Sequence, residues 1–227
     1  MQGLEASLRA EVAMTQFGVI GVFLLVAVIA YFLGCFNGAV IVSKYILRDD
    51  VRNHGSGNAG LTNFYRTFGG PLTFVVILCD VLKAVIAVWI GSIVIGTVFK
   101  ATIFTVALGK YWAGTFCLLG HMFPCMFGFK GGKGILSGGT VAIMIDWRVA
   151  LVVWGGFLVL AVLTRYVSLG SVWAGASFPV ATWFVYQNLI IALLGLFLGG
   201  MVVYMHRANI KRLLNGTESK FSLHKKK

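Results

Sequence analysis

The chain has 227 residues, of which 59% are hydrophobic and only 11% are charged. Because soluble domains carry roughly a quarter charged residues, this composition excludes a soluble globular domain. Lys and Arg number 19 against 7 Asp and Glu, which gives a formal net charge of +12. In so apolar a chain this excess is typical of cytoplasmic loops and of contact with anionic headgroups, and nucleic-acid binding is not predicted.

Seven apolar segments predict an all-α fold, a polytopic transmembrane helical bundle. A helix needs about 20 apolar residues to cross the hydrocarbon core, and the fourth segment is too short to span it alone. Five to seven crossings fit this pattern, and we predict seven. The segments are residues 17–36, 71–96, 101–119, 135–146, 149–164, 168–186 and 188–205. A polar N-terminal segment, residues 1–16, precedes this transmembrane domain of residues 17–205, and residues 206–227 follow it.

The distribution of basic residues predicts how the bundle is oriented. Seven crossings place the two termini on opposite faces of the membrane. Fourteen Lys and Arg then fall on the face that holds segments 44–70, 120–134 and 206–227, against three on the other face. The positive-inside rule therefore puts these three segments and the C-terminus in the cytoplasm, and the N-terminus outside.

The first cytoplasmic segment contains glycines, hydroxyls and amides closed by an arginine, NHGSGNAGLTNFYR over residues 53–66. Glycines allow backbone N–H groups to turn inward, and Ser, Thr and Asn side chains donate hydrogen bonds. Arg66 can pair with a phosphate through two parallel hydrogen bonds. This first motif predicts an anion site, and a flexible inter-helix loop is the alternative.

The second segment reads GHMFPCMFGFKGGKG over residues 120–134, immediately before an apolar helix. Lysines and glycines at a helix N-terminus favour phosphate binding. The pattern is not a Walker A loop, because a glycine is missing five residues before Gly132 and Ile135 stands where a hydroxyl would hold magnesium. This second motif therefore predicts a phosphate site without generic nucleotide hydrolysis.

The third segment, HRANIKRLLNGTE over residues 206–218, places His206 and Asn209 on one face if it is helical. Alone, this third motif would be interpreted as a basic juxtamembrane stretch that holds anionic lipid. Within the second apolar segment, Asp80 and Lys83 lie three residues apart. A lone charge at mid-bilayer costs roughly 2.5–3.5 kcal/mol, so each residue compensates the other. A structural role is favoured for this pair, and a role in lining a substrate cavity stays open.

The three motifs, in this order and separated by apolar spans, resemble the signatures of the integral-membrane bacterial glycerol-3-phosphate acyltransferases that use acyl phosphate as donor. The stretch LCDVLK over residues 78–83 also resembles the second helix of that family, and the likeness covers residues 35–215. The chain departs from the family pattern at Ala59, Leu61 and residues 135–137. These departures remove none of the polar groups that such a site needs.

The resemblance implies transfer of a fatty acyl group from acyl phosphate to the 1-hydroxyl of glycerol 3-phosphate, giving lysophosphatidic acid and phosphate in phospholipid biosynthesis. It implies that the substrate phosphate itself takes the proton, because the HxxxxD dyad of other acyltransferases is absent. It also implies a multi-pass protein of the bacterial inner membrane whose active site faces the cytoplasm. We expect the two substrates and membrane lipid as partners, no cofactor, metal or nucleic acid, and a monomeric protein.

The resemblance also implies roles residue by residue. Five residues are expected to hold and orient glycerol 3-phosphate in catalysis: Ser56, Arg66, Lys133, His206 and Asn209. Further substrate contacts are expected from Gly57, Asn58, Gly60, Thr62, Asn63, His121, Lys130, Gly131, Gly132 and Gly134. Among these, Asn58, Thr62, Asn63 and Lys130 are expected to contact acyl phosphate. Structural roles are expected for Asp80, Lys83 and Glu218. Which lysine serves which phosphate stays open.

Two other classes of protein remain as alternatives. A small membrane transporter of an organic phosphate would use the same basic, glycine-rich loops. Such transporters tend to have two related halves, and neither loop motif recurs in the chain. A structural or lipid-scaffolding membrane protein would explain the apolar segments and the basic tail but would leave two phosphate-suited loops without a use.

Overall fold

A computed structural model describes residues 2–221 of the chain, with side chains from residue 15 onward. Every regular element in that range is helical. In chain order the helices are α1 (Gln2–Cys35), α2 (Gly38–Ile41), α3 (Leu61–Thr67), α4 (Leu72–Val98), α5 (Ile103–Met122), α6 (Ile135–Ile145), α7 (Trp147–Thr164), α8 (Val167–Tyr186), α9 (Leu189–Met205) and α10 (Arg207–Leu214). A π-helical turn at Val42–Ile46 and two 3-10 turns at Val51–Asn53 and Cys125–Phe127 lie in the connections. The end of the predicted basic tail, residues 222–227, lies outside the described residues.

All seven predicted apolar segments form helices, namely α1 and α4 to α9. Their ends agree with the sequence pattern to within three residues, except that α1 begins much earlier, at Gln2. The short fourth segment is helix α6, with 11 residues. The apolar segments therefore predicted the seven long or apolar helices of this bundle, α1 and α4 to α9.

Four helical stretches are long and apolar enough to cross a membrane: Thr15–Cys35, Leu72–Val98, Ile103–Phe127 and Trp147–Thr164. Helices α9 and α10, which meet at a 57° bend, add a fifth if the pair is one span. Large apolar side chains such as Phe74, Trp147 and Phe184 are exposed on these and neighbouring helices, as contact with lipid requires. The all-α fold with several membrane spans is therefore confirmed, whereas seven crossings and the orientation of the termini stay predictions.

Helix α5 occupies the centre of the bundle, where it packs against α1, α4, α6 and α9. Small residues allow the closest of these approaches. A Cβ atom on Gly34 of α1 would lie 2.0 Å from the Cys117 carbonyl oxygen, and one on Gly91 of α4 would lie 2.4 Å from that of Gly109. Helix α8 packs against α7 and α9 on the other side. The close packing fixes the ends of these helices, from which the polar loops extend.

Candidate active site

The three polar motifs meet around one cavity of ≈ 690 Å³. All five residues predicted to be catalytic line it, although 153 positions separate the first from the last in the chain. The predicted residues that line the cavity are Ser56, Asn58, Gly60, Thr62, Asn63, Arg66, Asp80, His121, Lys133, Gly134, His206, Asn209 and Glu218. Five others, Gly57, Lys83, Lys130, Gly131 and Gly132, are not part of the described lining. The sequence motifs thus form one site.

Asn63 shapes the loop of the first motif. Its Oδ1 accepts a hydrogen bond from the backbone N–H of Ser56 at 3.0 Å, and its Nδ2 donates to the carbonyl oxygens of Val51 and His54, both at 3.0 Å. Both amide N–H groups and the oxygen are therefore engaged by backbone groups of the motif and of Val51 just before it. Because Asn63 is also buried, its geometry indicates a role in holding the loop beside the cavity, which differs from the expected contact with acyl phosphate.

Arg66 presents a largely free guanidinium at the edge of the cavity. It lies in the last turn of α3 and is exposed to solvent. Its Nη1 donates to the Ser219 hydroxyl at 3.2 Å, across the gap between the first and third motifs. One bond to a neutral hydroxyl uses one of the five N–H donors of an arginine, so donors remain for a planar, two-pronged contact with phosphate.

Arg52 joins the first two motifs, a role that the sequence analysis missed. Its guanidinium pairs with Asp50 at 2.7 Å and donates from Nη1 to the Phe127 carbonyl oxygen at 2.7 Å. Hydrogen bonding from Arg52 lowers the pKa of Asp50 despite partial burial, so the pair stays charged. In the sequence, only the two-residue spacing of Asp50 and Arg52 indicated that Arg52 is part of an ion pair. Its contact with Phe127 could not be predicted from the sequence.

The loop of the second motif folds back onto the end of α5. The N–H groups of Gly131 and Gly132 donate to the carbonyl oxygens of Met122 and His121, both at 3.1 Å. A Cβ atom on Gly131 would lie 2.0 Å from the His121 carbonyl oxygen, which explains the glycine. These two amides are therefore not free for a substrate phosphate. Lys130 is exposed, whereas Lys133 is half-buried and reaches the cavity.

Helix α6 begins at Ile135, directly after Lys133 and Gly134. Gly134 has φ +79°, a left-handed conformation that favours glycine, and it turns the chain into the helix. The predicted arrangement of a lysine at a helix N-terminus is therefore present. Lys133 and the first turn of α6 face the same cavity as the first and third motifs.

A hydrogen-bonded network holds Lys133 against the third motif. The Lys133 ammonium donates to Asn209 Oδ1, and Asn209 Nδ2 donates to Glu218 Oε1 at 2.7 Å. Arg212 pairs with the other Glu218 oxygen at 2.6 Å. Burial, together with the charges of Arg212 and Arg66, lowers the pKa of Lys133. A bound anion would offset this crowding of positive charge. Glu218 links Asn209 to Arg212, and its structural role stays a prediction.

His206 lies at the break between α9 and α10, and both it and Asn209 are buried against the cavity, as a helical third motif predicted. His206 Nδ1 is 2.8 Å from the Val202 carbonyl oxygen. Because a carbonyl can only accept, Nδ1 carries a proton, and Nε2 is left for other partners. The ring is thereby fixed with one nitrogen available to a ligand.

Asp80 and Lys83 form the predicted ion pair, at 2.6 Å and almost fully buried. Asp80 also lines the cavity, and the Lys83 ammonium lies 2.8 Å from Nδ1 of His121. The pair is thus internally compensated and lies beside the site. Only Asp80 of the pair is part of the described cavity lining, and the role of the pair stays a prediction.

An apolar groove adjoins the polar cavity. It runs among α6, α7, α8 and α9 and shares Gly134, Ile135, Trp154 and Phe157 with the cavity. Its walls are hydrophobic side chains and glycines, and its volume of ≈ 30 Å³ is about that of one water molecule, so its walls would have to separate to admit a hydrocarbon chain. Within the described part of the chain, no group of three His, Cys, Asp or Glu residues could hold a metal ion, and the four cysteines are free thiols.

Comparisons with known proteins agree with this geometry. The family model described as glycerol-3-phosphate acyltransferase matches residues 24–216. The chain is 39% identical to the glycerol-3-phosphate acyltransferase of Thermoanaerobacter pseudethanolicus, over 86% of this chain and 94% of that protein. It is 40% identical to the glycerol-3-phosphate acyltransferase of Clostridioides difficile, over 87% of this chain and 95% of that protein.

Solved structures are similar as well. The crystal structure of PlsY, an integral membrane glycerol 3-phosphate acyltransferase, in its glycerol 3-phosphate form, matches with a TM-score of 0.77 and 32% identity. The match covers 88% of this chain and 96% of PlsY. The lysophosphatidic acid form matches with a TM-score of 0.74 and 31% identity, over 88% and 95%.

Proposed function

The chain belongs to the glycerol-3-phosphate acyltransferase family, and we propose that it transfers a fatty acyl group from acyl phosphate to the 1-hydroxyl of glycerol 3-phosphate. The products are lysophosphatidic acid and inorganic phosphate. The observation that carries this proposal is the single cavity at which the three motifs meet, which is lined by Arg66, Lys133 and Arg212. An apolar groove adjoins this cavity. The two solved forms of PlsY, with glycerol 3-phosphate and with lysophosphatidic acid, support the same acceptor and product.

In the proposed mechanism, the protein acts by positioning two substrates and by stabilising charge. Arg66 and Lys133 hold the phosphate of glycerol 3-phosphate, and Ser56, His206 and Asn209 orient its glycerol part. The acyl chain leaves the cavity on the side of the apolar groove, beside Trp154 and Phe157. Holding both reactants in one cavity removes much of the entropic cost of their encounter, and the surrounding cations stabilise developing negative charge.

The chemical step requires no covalent intermediate with the protein. The 1-hydroxyl oxygen attacks the carbonyl carbon of acyl phosphate, and the hydroxyl proton passes to a phosphate oxygen of the substrate. The tetrahedral intermediate then collapses, the bond between the carbonyl carbon and the phosphate oxygen breaks, and inorganic phosphate leaves. No protein group has to accept the proton in this scheme, which agrees with the absence of an HxxxxD dyad in the sequence.

The alternative function, transport of an organic phosphate, has no support in the family to which the chain belongs. A direct assay separates the two. Purified protein in detergent is given glycerol 3-phosphate with either palmitoyl phosphate or a palmitoyl thioester, and both phosphate release and lipid product are measured. We expect lysophosphatidic acid and phosphate in equal amounts from palmitoyl phosphate. Product from the thioester alone would contradict the proposed donor, and no product from either would contradict the proposed function.

We further propose that the protein lies in the bacterial inner membrane with its cavity facing the cytoplasm, as the distribution of Lys and Arg favours. Single cysteines that replace Asn53 and Lys220 should react with an impermeant thiol reagent only from the cytoplasmic side. A cysteine in place of Arg148 should react only from outside. All three positions are exposed.

The parent for this labelling experiment lacks the four native cysteines and must retain activity as a control. Reaction of residues 53 and 220 from outside the cell would reverse the proposed orientation. All three motifs of one chain contribute residues to the cavity, and we propose that the monomer is active.

A further inference from the structure

Lys83 connects three helices next to the cavity. Its Nζ atom is 2.6 Å from Asp80 Oδ1, 3.1 Å from the Phe36 carbonyl oxygen at the end of α1, and 2.8 Å from His121 Nδ1 in α5. An ammonium has three protons and no lone pair. All three protons of Lys83 are therefore used, and each is donated to a different part of the fold.

This arrangement fixes the proton on His121. Because the Lys83 ammonium can only donate, Nδ1 of His121 must be the acceptor, and the proton of the neutral ring is on Nε2. The Asp80 carboxylate lies 3.6 Å from Nδ1, beyond hydrogen-bonding distance, and it neutralises the charge of Lys83. The cluster thus orients the imidazole without adding net charge to a site for anions.

Nε2 of His121 lies beside the backbone of Gly132, at the wall of the cavity. A Cβ atom on Gly132 would lie 2.2 Å from Nε2, so only a glycine there leaves this nitrogen uncovered. His121 is 3% exposed and lines the cavity, and no acceptor for Nε2 is found among the described residues. Among the described residues, Ser168 Oγ and Ser177 Oγ are the side-chain N and O atoms that are fully buried without a hydrogen-bond partner. Nε2 of His121 is not among them, as expected if it has access to the cavity.

We propose that Asp80 and Lys83 are positioning residues that hold His121 as an Nε2–H donor, and that His121 donates this hydrogen bond to an oxygen of the substrate in the cavity. This inference rests on the proposed function. The competing explanation is that the cluster only ties α1, α4 and α5 together. The two explanations differ in whether activity and stability change together when the cluster is altered.

Two substitutions of His121 separate the roles of its two nitrogens. His121→Asn keeps an acceptor near the Nδ1 position for Lys83 but has no group at the position of Nε2. His121→Gln carries an amide N–H to the position of Nε2 but leaves Lys83 without its third acceptor. We expect the Asn variant to keep the unfolding midpoint and to lose about tenfold in kcat/KM, as for one lost hydrogen bond to substrate. The Gln variant should keep more activity and have the lower midpoint.

The ion pair is tested by a matched pair of variants. Lys83→Met leaves the buried Asp80 carboxylate without its partner and should lower both stability and activity. Adding Asp80→Asn removes the unpaired charge, so the double variant should regain the unfolding midpoint. If Lys83 positions His121, kcat/KM of the double variant should remain about tenfold below that of the wild type, since no ammonium then fixes the ring.

Activity that follows stability in all four variants would overturn the inference. Turnover by the wild-type protein is measured first, with whichever of the two acyl donors it uses. Absence of wild-type turnover rejects the proposed function, whereas equal activity of the Asn and Gln variants, beside an active wild type, rejects the role of His121 alone.

Discussion

Replacing Lys133 by methionine is expected to lower kcat/KM by about 100- to 1,000-fold, the loss typical of removing one preorganised charged donor from an active site. Methionine keeps most of the apolar length of the side chain and removes only the ammonium. Lys133 is the half-buried cation that joins the second motif to Asn209, and burial with nearby Arg212 lowers its pKa. A bound phosphate would favour the charged form, so the interaction is strongest in the complex. Steady-state kinetics with glycerol 3-phosphate and palmitoyl phosphate measure the loss.

Two other lysines serve as comparisons for this prediction. Lys211 is exposed on α10, two residues from Asn209, and Lys211→Met removes the same charge with an expected change within about twofold. Lys130 belongs to the same glycine-rich loop as Lys133 but is exposed and does not reach the described cavity lining. Replacing Lys130 by methionine should lower kcat/KM by at most about tenfold. A larger loss for Lys130 than for Lys133 would contradict the assignment of Lys133 to the substrate phosphate.

Much of this site could be predicted from the sequence because residue type limits what each motif can do. Glycines, hydroxyls, amides and cations in three segments predicted to share one face of the membrane indicated a phosphate site, and the five residues predicted to be catalytic do line one cavity. The apolar pattern also placed the helices. The number of crossings could not be predicted in the same way. Apolar length alone does not decide whether α6, with 11 residues, or the bent pair of α9 and α10 crosses the membrane.

What the sequence could not predict is which groups are already engaged. Asn63 has the right chemistry for substrate, but its amide is used to hold the first motif. The N–H groups of Gly131 and Gly132 are used in the same way by the end of α5. Arg52 and its acceptor at residue 127 are 75 positions apart, and Lys83 and His121 are 38 apart. Such pairings depend on how the helices pack, and no local pattern encodes them.

The cations of the site come from three separate segments, and each contacts a different polar side chain. Arg66 in α3 contacts Ser219, Lys133 contacts Asn209, and Arg212 is paired with Glu218. Of these three, Arg212 alone is neutralised by a carboxylate. Arg66 and Lys133 therefore bring two positive charges to one cavity without a carboxylate partner among the described residues, an arrangement that favours binding of a phosphate.

Arg66→Lys should lower kcat/KM by about ten- to a hundredfold, which corresponds to about 1.5–3 kcal/mol of charge-assisted hydrogen bonding. Lysine keeps the positive charge but loses the planar pair of donors that matches a phosphate. Because Arg66 is exposed and its described hydrogen bond is one contact with Ser219, the variant should fold with an unchanged unfolding midpoint. Kinetics and thermal unfolding are measured on the same preparation.

The matched control for Arg66 is Arg148→Lys. Arg148 is also exposed and is paired with Asp146 at 2.9 Å, in the connection between α6 and α7. This substitution should leave kcat/KM within about twofold of the wild type, because exposed ion pairs contribute little. If Arg66 only tethered its loop to lipid headgroups, Arg66→Lys would keep full activity in detergent, and any defect would appear as a lower unfolding midpoint. A loss of catalytic efficiency at constant stability, confined to residue 66, therefore distinguishes phosphate binding from a tether.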